Sequence, residues 1–83
     1  MDREEVKNRV LQVVPKVFPD IDVYDINMAA ELTTEYGVDS VSIIQLIVEL
    51  ESEFGIEFDD EELALGLYFD MNDVVAAVAA KVA

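Results

Sequence analysis

The chain has 83 residues, 19 of them Asp or Glu against 5 Lys or Arg, for a formal net charge of −14. That length allows one domain, spanning 1–83, with one modest core, and a hydrophobic content of 53% is too high for a disordered acidic tail. Cysteine and histidine are both absent, which removes disulfides, thiolate ligands, a cysteine nucleophile and the commonest general base.

The N-terminal "MDREEVKNRV" is charged where a secretory signal needs a basic segment followed by an apolar one. No run approaches the roughly 18 apolar residues of a membrane span, so a cytosolic location away from the membrane is expected. The basic residues are Arg3, Lys7, Arg9, Lys16 and Lys81, which leaves Val17 to Ala80 without a positive charge. Such a field repels nucleic acid and anionic lipid and speeds encounter with basic patches on proteins. Acidic surfaces also serve solubility alone. Protein partners, engaged by a monomer, are the expectation.

Val6, Val10, Val13, Val14 and Val17 recur at helical spacing and predict a first amphipathic helix from about Asp2 to Val14 or Phe18. Pro15 removes a backbone donor and disfavours a helical Val14, so the helix either kinks or ends there. "PDIDVYDINMAAELTTEYGV", Pro19 to Val38, has turn formers and scattered apolar residues and reads as a long loop holding at most one short helical turn. Loops beyond about 12 to 15 residues are uncommon in compact domains and are often functional. Within it, "DIDVYDINMAAE" resembles a calcium loop only at positions 1, 3 and 12. Tyr24 and Asp25 stand where that motif needs an oxygen ligand and a glycine.

A second main helix should open at Asp39 as N-cap and close near Phe54, with Gly55 supplying the left-handed stop. Ile43, Leu46, Ile47, Leu50 and Phe54 form one stripe facing a core. Val41, Ile44 and Val48 lie outside that stripe and are apolar as well, so they either widen the buried face or stay exposed to meet a partner. Asp59 or Asp60 caps a short third helix to about Gly66, and a last helix begins near Asp70 and buries Val74, Val75, Val78 and Val82. The expected fold is all-α: a small four-helix bundle of three main helices and one short one, with a long loop between the first two main helices.

Ser40 therefore sits at a helix N-terminus, where free backbone donors and the positive end of the dipole stabilise an attached phosphate. On position alone such a serine is usually just a cap. Its surroundings change that reading: "GVDSVSIIQLIVELESEFGIEF" resembles the signature of acyl carrier proteins, in which a glycine, a variable residue, aspartate and serine precede an apolar helix ending in "LE" and an aromatic. The likeness extends to the first helix, the long loop, the acidic "DDEEL" and the valine-rich last helix. It implies a carrier and no enzyme activity, with 4′-phosphopantetheine delivered to Ser40 from coenzyme A by a separate phosphopantetheinyl transferase. Asp39 would cap the helix and help the transferase place its metal. An acyl group would ride as a thioester, and Val41, Ile44, Gln45 and Val48, with Glu49, Glu51 and Glu53 nearby, would dock onto basic surfaces of acyl-loading and acyl-processing enzymes.

Many fatty-acid carriers have aspartate, glutamate and proline at the positions of Ser42, Gln45 and Asp59. Those departures leave fatty-acid, polyketide and related lipid or secondary-metabolite pathways all open. Leu63, Leu65 and Leu67 imply either a tighter core or a roomier cavity. An aminoacyl or peptidyl carrier is an alternative, and so is an unmodified acidic protein-interaction module, for which Ser40 would be dispensable.

Overall fold

The computed structural model describes residues 1–82, and within them the chain is helical with no strand. Helix α1 covers Arg3–Val17, α2 Leu32–Glu35, α3 Ser40–Phe54 and α4 Met71–Val82. The small four-helix bundle with three long helices is thus the observed architecture. Its core joins Val6, Val10, Val13 and Val14 of α1 to Ile43, Leu46, Ile47 and Leu50 of α3 and to Met71, Val74, Val75 and Val78 of α4. Helix α1 packs on both α3 and α4, so the three long helices share a single apolar interior.

Asp2 opens α1 by accepting the Glu5 N–H at 2.8 Å. The helix continues through Pro15 to Val17 instead of ending there. Pro15 is exposed, and the Phe18 N–H still reaches the Val14 carbonyl at 2.8 Å. Burial of Val10, Val13 and Val14 holds this turn helical against the steric preference of a residue before proline.

The long connection is built of successive turns. Asp22 accepts the Tyr24 N–H and Asn27 accepts the Ala29 N–H, each bond closing a local turn. The segment is tied to the start of α4 by Leu32 N–H to Phe69 O (2.9 Å) and Asn72 N–H to Met28 O (3.1 Å). Leu32 plugs into the core, which anchors α2 immediately upstream of α3.

The region after Gly55 differs from the sequence expectation. In place of one short helix from Asp59 or Asp60 to Gly66, two 3₁₀ turns form, Asp60–Glu62 and Leu65–Leu67, and the short α-helix of the bundle lies upstream at Leu32–Glu35. Leu63 and Leu65 pack against the core while Leu67 faces solvent. A 3₁₀ turn brings residues three apart into line and so suits single apolar anchors, where a continuous amphipathic face is missing. Among the described residues, no helix is long and apolar enough to cross a membrane.

Leu46 and Leu50 are fully buried and Val48 is 53% exposed. Replacing either leucine with alanine should cost about 2–5 kcal/mol in urea unfolding. Val48→Ala should stay within about 0.5 kcal/mol, and a large loss there would place Val48 in the core.

Candidate functional site

The start of α3 is determined by its neighbours. Gly37 takes a left-handed φ of 64° and the Val38 N–H reaches back to the Leu32 carbonyl at 3.1 Å. Val38 is buried, so the chain enters α3 pinned on one side by the core. Asp39 is then extended, and its carboxylate accepts the Ser42 N–H at 2.8 Å. Bonds from Ser42, its backbone N–H foremost and its hydroxyl next, hold the Asp39 carboxyl below the usual carboxylate range. Asp39, not Ser40, is the cap.

Ser40 is the first helical residue of α3 and is exposed. Among the described residues its hydroxyl has no hydrogen-bond partner, so no structural task accounts for it. The chain has two other serines, and neither is placed in the same way. Ser42 is half-buried and engaged with Asp39. Ser52 is exposed but three turns further along α3, remote from the positive end of the helix. An unencumbered primary hydroxyl at the donor-rich end of a 15-residue helix fits a group attached through a phosphodiester.

Beyond Ser40, Val41, Ile44 and Val48 are 63%, 38% and 53% exposed and line one outer face of α3 with the exposed Gln45. They do not widen the buried stripe. Glu49 is half-buried on one flank of this face. The other two glutamates expected nearby are held within the chain. Glu51 accepts the Phe58 N–H at 2.8 Å. Glu53 pairs with Arg9 at 2.9 Å, and the same guanidinium donates to the Glu53 carbonyl at 2.7 Å while lying 4.6 Å from the Phe54 ring centroid.

At the far side of the 3₁₀ segment Glu62 makes a second hub. Its carboxylate accepts from the Asp59 N–H at 2.8 Å and from Lys81 at 2.9 Å, and both contacts lower its pKa. Its carbonyl accepts the Tyr68 hydroxyl at 2.7 Å, a proton that burial makes harder to remove. Lys81 also lies 5.0 Å from the Phe58 ring centroid. Sequence periodicity could not reveal these two hubs, because each joins residues 19 or 44 positions apart. The apolar 3₁₀ segment borders an open groove of about 320 Å³ lined by Glu31, Thr33, Leu65, Gly66, Tyr68 and Phe69.

The fold is thus a small all-helical bundle with an accessible serine at the head of a central helix. The chain matches the family described as "Phosphopantetheine attachment site" over residues 8–82. It is 37% identical over 62 residues to "Acyl carrier protein 2, mitochondrial" of Arabidopsis thaliana, covering 75% of this chain and 48% of that protein. It is 31% identical over 61 residues to an acyl carrier protein of Thermotoga maritima, covering 74% of each, and 32% identical over 62 residues to one of Rubrobacter xylanophilus, covering 75% of each. The matched region spans about half the length of the plant protein and about three quarters of the bacterial ones. The chain belongs to the phosphopantetheine-binding acyl carrier protein family. Its members are carriers and not enzymes, and the cofactor of the family is covalent 4′-phosphopantetheine.

Because the folded pKa of Asp39 is lowered, the stabilisation its charge gives α3 is fully present above the unfolded value of 3.8 and is lost as pH falls through the depressed folded value. Thermal melts of the parent and of Asp39→Ala should therefore differ at pH 7, and the gap should narrow progressively as pH falls from 3.8 through the depressed folded value. A gap that persists unchanged into that acid range would show that the carboxylate charge is not what the cap uses.

Proposed function

We propose that Ser40 is the attachment point of 4′-phosphopantetheine and that the chain, as one carrier domain, shuttles acyl intermediates between enzymes. The observation that carries this reading is the division of labour at the head of α3: Asp39 caps the helix and Ser40, one residue on, is exposed and without a partner. Loading joins Ser40 Oγ to the pantetheine-side phosphorus of coenzyme A while the pyrophosphate P–O bond breaks and adenosine 3′,5′-bisphosphate leaves; the serine proton goes to a base on the transferase, since the chain has no histidine or cysteine for that task. When bound, phosphopantetheine supplies a thiol on a flexible arm, to which an acyl group is held as a thioester.

The outer face of α3 supports the second half of the proposal. Val41, Ile44 and Val48 give a small apolar patch beside Ser40, and Gln45 and Glu49 rim it. An apolar patch of this size in an acidic field suits brief contact with basic enzyme surfaces, because electrostatic attraction speeds arrival and is screened by salt. The acyl-processing partners would belong to fatty-acid, polyketide or related lipid biosynthesis. An aminoacyl cargo is the competing assignment, and the strong acidity of the chain favours the acyl one.

Incubating the protein with coenzyme A, magnesium and a broad-specificity phosphopantetheinyl transferase should add a single phosphopantetheinyl group by intact mass, and Ser40→Ala should take up none. The Ser40→Ala protein should keep its fold to within about 0.5 kcal/mol, as expected for an exposed side chain without a bond. An unmodified parent, with the transferase active on a control carrier, would favour an unmodified acidic interaction module.

A further inference from the structure

The two ion pairs among the described residues, Arg9–Glu53 and Lys81–Glu62, use two of the five basic side chains to hold the fold together. Lys16 is placed differently. It is exposed in the last turn of α1, where a cation suits the helix dipole, but it also stands at the rim of a groove between α1 and α3. That groove has a volume of about 420 Å³ and is lined by Lys16, Val17, Ile44, Gln45, Val48 and Glu49. Its lining combines the apolar Val17, Ile44 and Val48 with the exposed Lys16 and the half-buried Glu49. Ile44 and Val48 are four and eight residues beyond Ser40, or about 6 and 12 Å along the helix axis. A surface that approaches Ser40 along this face of α3 covers the groove.

A uniformly acidic carrier needs only a basic partner. Here, a surface closing over the groove strips water from the Lys16 ammonium, which then requires an anion, because a desolvated charge without a partner is costly. We infer that the docking surface of this carrier extends from α3 onto α1 as a mixed-charge groove, and that the enzymes it fits present an acidic side chain to Lys16 beside an apolar one that enters between Val17, Ile44 and Val48. Lys16 is then a specificity-determining residue. It would select, among basic partners, those with a carboxylate at this position. This inference rests on the assignment of Ser40 as the loading site.

The test is the KM of the apo protein in loading by a broad-specificity phosphopantetheinyl transferase with coenzyme A, measured at low and high salt. Lys16→Glu is compared with Arg3→Glu, which makes the same charge change about 20 Å away along α1. If only the overall acidic field matters, both variants lower KM together. The inference predicts that Lys16→Glu raises KM about threefold, with kcat unchanged and the effect reduced by salt, while Arg3→Glu does not raise it. Lys16→Gln should give a smaller rise in the same direction. A double exchange, Lys16→Glu with Glu49→Lys, should leave KM raised, since it inverts the pattern the partner must match. Restoration of the parental KM by that exchange would mean that Lys16 simply pairs with Glu49, and would overturn the inference. So would a Lys16→Glu protein that behaves like Arg3→Glu. Failure of the parent itself to load would sink the Ser40 assignment and this inference with it, an outcome distinct from a loaded parent whose KM ignores Lys16.

Discussion

Burial of Ile43, Leu46, Ile47 and Leu50 against α1 and α4 sets the rotation of α3 about its axis, and that rotation determines the outward face of the protein. Successive helical residues differ by about 100° in direction. A turn of one residue would bring Val41, Ile44 and Val48 toward the interior and put core residues in water. Because the helix is apolar on both sides, hydrophobicity alone leaves that choice weakly determined. Polar bonds on the two flanks strengthen it. Glu53 is held to Arg9 of α1, and Glu51 on the opposite flank is held to the Phe58 N–H, so α3 is pinned at its far end from both sides.

Two of the five basic residues, Arg9 and Lys81, lie where they order α3 and the 3₁₀ segment beyond it. Arg9 reaches the Glu53 carbonyl near the C-terminal end of the helix, where unpaired carbonyls and the negative end of the dipole favour a cation. Asp39 supplies the complementary anion at the other end. Lys81 ties the last helix to Glu62 and lies near Phe58, so the two cations meet the chain on either side of Gly55. These partly exposed pairs are individually weak. Their role is to fix position, and most of the remaining acids stay free of ion pairs on the surface of the chain.

The termini of α3 are legible in the sequence because each is a local device: Asp39 as the capping acceptor and Gly55 with φ 65°, whose N–H donates to the Glu51 carbonyl at 2.9 Å. The core stripe is legible from spacing, whereas the loop's composition allows one short helical turn without placing it at Leu32–Glu35. Pro15 leaves two outcomes open because its steric effect is local while the burial that overrides it is tertiary. The 3₁₀ turns after Gly55 read as one helix in the sequence for a related reason. "DDEEL" carries a good helix start, yet the backbone is then held by the Tyr68 hydroxyl on the Glu62 carbonyl and by Lys81 on the Glu62 carboxylate, partners that sequence spacing does not announce. For the candidate site, the exposure of Val41, Ile44 and Val48 had to come from the structure. So did the withdrawal of Glu51 and Glu53 into internal bonds, because acids close in sequence point to different neighbours once the helix is packed.

The central claim is that the head of α3 offers Ser40, and no other serine, as the attachment point. Fragmentation mass spectrometry of the protein co-expressed with an active phosphopantetheinyl transferase tests it most directly, because it locates the added group along the chain. The account predicts the modification on Ser40 alone, with Ser42 and Ser52 bare. A group found on Ser42 or Ser52, or on any other residue, would contradict it.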